Sequence, residues 1–139
     1  MGVSNVNKKT TNILPLKKKS APKEMRTFAG GATRNCDKNK YDYEGFFSPL
    51  MFEAFGEYMH AHRMQADGNL RASDNWTNGI GCPVYMKSLW RHFFDLWKIH
   101  RGLPATSPED GHAVTAKEAC CAIIFNTQGY LHETLKEKQ

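Results

Sequence analysis

Between Pro83 and His100 the chain places Tyr85, Leu89, Trp90, Phe93, Phe94, Leu96, Trp97 and Ile99. Wound into a helix at 3.6 residues per turn, these side chains cover most of the circumference. Such a helix has to be covered on several sides. The polar residues among them are Arg91 and Asp95 at i, i+4 and His92 and Asp95 at i, i+3. On so apolar a helix they do not all face water, so some are buried and paired, as a structural ion pair or as a functional site. The chain has 139 residues, enough for one domain. A domain of that size does not bury this helix alone, which predicts self-association into a homo-oligomer.

Two further helices flank it. Ser48 suits an N-cap and Pro49 the first helical position. The run from Leu50 to Met64 sets Met51, Phe55 and Met59 at i, i+4, i+8 toward a core. Residues 66–82 are turn-rich around Trp76, and Gly102–Gly111 is a loop with Pro104 and Pro108. Thr115-Ala116-Lys117-Glu118 matches a capping box, which starts a third helix over about 116–137. No strand alternation and no internal repeat is visible. The expected fold is all-α: a compact helical domain of three main helices, residues 28–139, behind a basic, extended, flexible N-terminal segment, residues 1–27.

Charge divides at nearly the same place. Residues 1–40 hold ten Lys/Arg against Glu24 and Asp37, a net +8, while residues 41–139 hold nine against twelve acids, a net −3. The Lys17-Lys18-Lys19 run reads as a solvated segment or as a contact for nucleic acid or an acidic protein partner. No run approaches the roughly 18 apolar residues of a membrane span, so no membrane partner is expected. The start lacks the apolar region of a secretory signal, and Val6 stands where a myristoylation motif needs Ser or Thr. Cys36, Cys82, Cys120 and Cys121 form no C-x-x-C pair, which argues against a zinc finger or disulfide framework and for a reducing cytoplasm. There is no phosphate-binding glycine loop, no G-x-S-x-G and no H-E-x-x-H.

What remains for chemistry is acids and histidines. Glu53 and Glu57, one helical turn apart, put two carboxylates on one face, suited to Mg²⁺ shared with substrate phosphates or to a solvated face with His60 as partner. Glu109-Asp110-Gly111-His112 gathers two carboxylates and an imidazole in an interhelical loop. Glu118 is accounted for by the capping box. Asn126 lies in an apolar run and needs a hydrogen-bond partner, from a neighbouring helix end or from a ligand.

Taken in order, several segments resemble a specific family. Gly31-Ala32-x-Arg34, Lys40 and the Ser48-Pro49 helix start, Asp74-Asn75-Trp76-x-x-Gly79, Arg91-His92-x-x-x-x-Trp97 with Arg101-Gly102, and the acidic loop with His112 resemble the dATP/dGTP diphosphohydrolase N-terminal family of bacteriophages. That family is similar in character to the all-α MazG-like nucleotide pyrophosphohydrolases. The resemblance covers about residues 28–132. It implies a phage-encoded, oligomeric enzyme of the host cell cytoplasm that cleaves a dNTP, a purine dNTP by the family's name, to dNMP and pyrophosphate, with Mg²⁺ or Mn²⁺ as cofactor. Carried onto this chain, it implies Glu53, Glu57, Asp110 and Glu118 as metal ligands and Glu57, His92 and Glu109 as catalytic groups. Arg34, Lys40, Trp76, Arg91 and Asn126 would then contact the nucleotide substrate. In the acidic block, Gly102 is followed by Leu103, the acids come only at Glu109 and Asp110, and His112 is the single histidine. Together with the detached basic segment, this supports a second expectation: a non-catalytic nucleotide- or protein-binding module whose tail grips nucleic acid or a host partner.

Overall fold

The computed structural model of the chain describes residues 24–137. The Lys17–Lys19 run and nearly all of the expected basic extension lie outside them. The described chain divides after Asp42 into two units.

In the first unit, β1 (Met25–Thr27) pairs antiparallel with β2 (Thr33–Asn35), with Arg26 opposite Arg34. The turn between them closes through Phe28 N–H to the Ala32 carbonyl at 2.9 Å and needs a left-handed Gly31, φ 83°. This hairpin corrects the strictly all-α expectation: the protein is mostly helical with one small sheet. Three-residue strands are too short for alternation to show, which needs 4–8 residues. Residues 25–27, grouped by sequence with the extension, are its first strand.

The second unit is helical. A single turn, α1 (Tyr43–Phe46), precedes α2 (Pro49–Ala61), and α3 (Cys82–His100) and α4 (Ala116–Lys136) follow. Two of the three long helices, α2 and α4, start where their caps place them. The Ser48 hydroxyl accepts from Met51 N–H at 3.3 Å, and the Thr115 hydroxyl accepts from Glu118 N–H at 3.2 Å. A short 3₁₀ turn, Asn75–Asn78, interrupts the turn-rich segment.

Helix α4 is central: α2 and α3 both pack on it. Its inward stripe is Ala119, Ala122, Asn126 and Gly129, all buried, at spacings of three and four residues. Small side chains there let α3 come close, and Tyr85, 2% exposed, rests against Gly129. Tyr85 also meets Phe125 edge-on at 6.0 Å, and its hydroxyl donates to the Trp76 carbonyl at 3.4 Å. The buried apolar side chains among the described residues are few: Tyr85, Ala105, Ala119, Cys121 and Ala122. On the other side of α3, Met86, Trp90, Phe93 and Trp97 form a second stripe at spacings of four, three and four, and the three aromatics are half exposed or more. No described helix is long and apolar enough to cross a membrane.

Candidate functional site

The loop after α3 is more ordered than its prolines suggest. Thr106 and Ala113 form an isolated antiparallel bridge, with Ser107 N–H to the His112 carbonyl at 2.9 Å and Val114 N–H to the Ala105 carbonyl at 2.9 Å. Gly111, φ 76°, turns the strand back. That turn brings His112 against the start of α4. Its Nδ1 lies 2.7 Å from Asp110 Oδ1 and its Nε2 2.9 Å from Glu118 Oε1. An ionised carboxylate only accepts, so two acids on the two ring nitrogens favour the imidazolium form of His112. The Asp110 bond, then the Glu118 bond, raise its pKa above the usual histidine value, and the same contact lowers that of Asp110. The Glu118 carboxylate is therefore turned to His112 across the loop, a role that the capping box does not reveal.

His112 and Glu118 of this triad border a cleft of about 380 Å³ between α3, α4 and the end of α2. Arg91, His92, Glu109, His112 and Glu118 all line it, with Tyr58 and Asp95. Burial, then the neighbouring Arg91, pushes the His92 pKa down, opposite in direction to His112, so the neutral form is favoured at His92 and the charged form at His112. Burial raises the Tyr58 phenol to about 12. The Arg91–Asp95 pair expected along the helix does not form: Asp95 pairs with Lys98 at 3.4 Å, while Arg91 donates to the Ser88 hydroxyl at 3.0 Å and keeps its remaining donors.

The other expected site residues are placed elsewhere. Glu57 accepts from Lys117 Nζ at 2.5 Å beside Glu118, and Glu53 is exposed on the same helix. Trp76 is half-buried, edge-on to His132 at 5.0 Å, and lines a second, smaller pocket. Asn126, 4% exposed, donates from Nδ2 to the Ala122 carbonyl one turn back at 2.8 Å. Its own helix supplies the partner that the sequence left to a neighbouring helix end or a ligand. Arg34 and Lys40 belong to the first unit, where Lys40 hydrogen-bonds Asp37 at 3.2 Å and thereby lowers its pKa.

The expected metal ligands do not converge. Among the described residues no three His, Cys, Asp or Glu side chains are gathered to hold an ion. Asp110 and Glu118 grip opposite edges of one imidazole, and Glu57 is on Lys117. A cage made by the protein alone does not fit this donor set. An ion arriving on nucleotide phosphates fits better, because Mg²⁺ then needs only one or two carboxylates from the protein, here Glu109 and Glu118.

Sequence reasoning missed Tyr58, His62, Arg63 and Arg71 as lining residues. His62 stacks on Tyr58 at 4.0 Å, and its Nδ1 donates to the Tyr58 carbonyl at 2.8 Å. The i, i+4 spacing of these two rings was the available signal. Comparisons of the chain with protein-family models, with curated proteins and with solved structures found no match.

Proposed function

We propose that the α3–α4 cleft hydrolyses a nucleoside triphosphate to the monophosphate and pyrophosphate, with purine deoxynucleotides as the preferred substrates, as in the phage dATP/dGTP diphosphohydrolase and MazG-like families that the sequence resembles. The observation that carries this reading is two histidines lining one cleft with pKa values pushed in opposite directions. Paired titratable groups tuned apart are the signature of an assigned base and acid. Neutral His92 accepts the proton of the attacking water, and the His112 imidazolium donates toward the oxygen that leaves with pyrophosphate. Arg91 faces the same space and offsets charge growing on the phosphates. Mg²⁺ or Mn²⁺ bound to the substrate supplies further charge neutralisation. We place a second copy of the chain against the outer stripe of α3.

The test is a panel of nucleotides with Mg²⁺ and Mn²⁺ and identification of products, run beside Glu109→Gln and Glu57→Gln. Monophosphate and pyrophosphate from dATP or dGTP are expected, with Glu109→Gln the more damaging change. No turnover of any dNTP with either metal overturns the hydrolase. A second reading, a binding module with no turnover, draws on the carboxylates already engaged by Lys117 and His112. It predicts that reversing Lys17, Lys18 and Lys19 to Glu abolishes nucleic-acid or acidic-partner binding and flattens its salt dependence. Unchanged binding counts against it.

A further inference from the structure

Beyond α2 the chain makes a tight hairpin. Met64 bridges Leu70, Arg71 N–H donates to the Arg63 carbonyl at 2.9 Å, and Arg63 Nε donates to the Arg71 carbonyl at 2.9 Å. The tip is locked by Asp67, whose carboxylate accepts from Asn69 N–H at 3.0 Å and Asn69 Nδ2 at 3.1 Å. The acid within the hairpin is thereby engaged at its tip, while Arg63 and Arg71 are fixed side by side at its base. Both line a pocket of about 190 Å³ with Tyr58, Asn75, Trp76 and Phe125, and no carboxylate lines it. The hairpin register thus sets two cationic side chains on the wall of one pocket, and an anion seated there would be attracted by both.

Size narrows the occupant. Pockets that hold a whole small-molecule ligand run to roughly 300–1,000 Å³. This one is smaller, so it holds a compact group. Guanidinium forks match phosphate oxygens bidentately and meet a full negative charge there, whereas a neutral nucleobase offers acceptors without the charge that would offset two cations. Tyr58 and His62 line both this pocket and the larger cleft, so the two share a wall.

We propose that Arg63 and Arg71 seat a pyrophosphate group, free or as the two terminal phosphates of a nucleotide. The nucleotide arm rests on the hydrolase reading, and the free-anion arm does not. In that arrangement the cleaved bond lies in the larger cleft, and the cationic pocket retains the leaving half. Neither arginine was visible as a site residue in the sequence, because their pairing depends on the hairpin register.

Calorimetric titration of the full chain with inorganic pyrophosphate tests this, with dATP, dAMP and adenosine in parallel. Pyrophosphate and dATP are expected to bind at least tenfold more tightly than dAMP or adenosine. Arg71→Gln is expected to weaken pyrophosphate at least tenfold, Arg71→Lys less, and Lys87→Gln not at all. Thermal melts confirm that each variant is folded. Preference for adenosine, or a loss on Arg91→Gln with none on Arg71→Gln, overturns the proposal. Pyrophosphate binding that depends on Arg71 without nucleotide turnover supports this pocket and sinks the hydrolase. Turnover with pyrophosphate binding indifferent to Arg71 does the reverse.

Discussion

His112 shows how one contact sets both a charge and a pH range. Its pKa in the folded protein lies above the unfolded value near 6.5, so the stabilisation it contributes is complete below that value and is lost as pH rises through the folded pKa. Asp110 runs the other way: its pKa is depressed, so its share is present above about 3.8 and is lost as pH falls through the lowered value. Replacing His112 by Asn is therefore expected to lower the thermal midpoint most between about pH 4 and 6.5, with the difference from the parent protein shrinking at higher pH. A difference that stays constant from pH 5 to 9 would exclude the imidazolium. His92 belongs to the same scale. If it is the base of the proposed hydrolysis, it is expected to carry about 10²–10⁴-fold of the rate. His92→Asn is expected to lower kcat by that order and remove the acidic limb of the pH–rate profile, measured as pyrophosphate release. These roles were only partly legible. The sequence names His92, Glu109 and Asp110 as candidates, but what separates one histidine's chemistry from the other's is burial for His92 and facing carboxylates for His112.

At the scale of elements, caps and apolar spacing located α2, α3 and α4 to within a residue or so at most ends, because both signals are local. The β-hairpin escaped, since its short strands are held by a glycine turn and cross-strand bonds rather than by pattern. The contact between α3 and α4 is the sharpest element-level feature. A Cβ built on Gly129 would overlap the ring of Tyr85, a buried group with nowhere to swing. Gly129→Ala is expected to destabilise by about 1–3 kcal/mol through overpacking, measured by chemical denaturation. Tyr85→Leu should relieve that clash, so the double variant is expected to lose less than the sum of the two single changes. Additive losses would show that the ring and the glycine do not oppose each other.

For the whole molecule, the imbalance between core and surface governs. Five apolar side chains are buried among the described residues, while Trp90 is 66% and Trp97 53% exposed. The three half-exposed aromatics of the outer α3 stripe, Trp90, Phe93 and Trp97, present about 340 Å² of apolar surface, taking roughly 200 Å² per side chain. That is the size of the largest apolar patch on an ordinary monomer, a kind of patch that is often functional, and it is under half of one side of a standard stable interface, which buries about 800 Å² per partner. On the proposed self-association, a second copy of the chain covers this stripe. Sedimentation equilibrium is expected to find a dimer or larger species with a concentration-dependent thermal midpoint, and Trp90→Glu with Trp97→Glu is expected to shift it toward monomer. A parent protein that stays monomeric at high concentration would assign the stripe to another partner and overturn the self-association.

The sequence by itself determined where the long helices begin and end, that α3 is apolar on more than one side, and that the body is acidic behind a basic start. Each follows from local spacing, capping chemistry or simple charge. Only the tertiary structure decided which polar groups meet. Glu118 faces His112 across a loop, Arg63 sits beside Arg71 across a hairpin, and Asn126 satisfies itself within α4. The first two partnerships depend on chain reversals at Gly111 and Gly68, and a pattern read along one strand of sequence does not carry the geometry of a reversal.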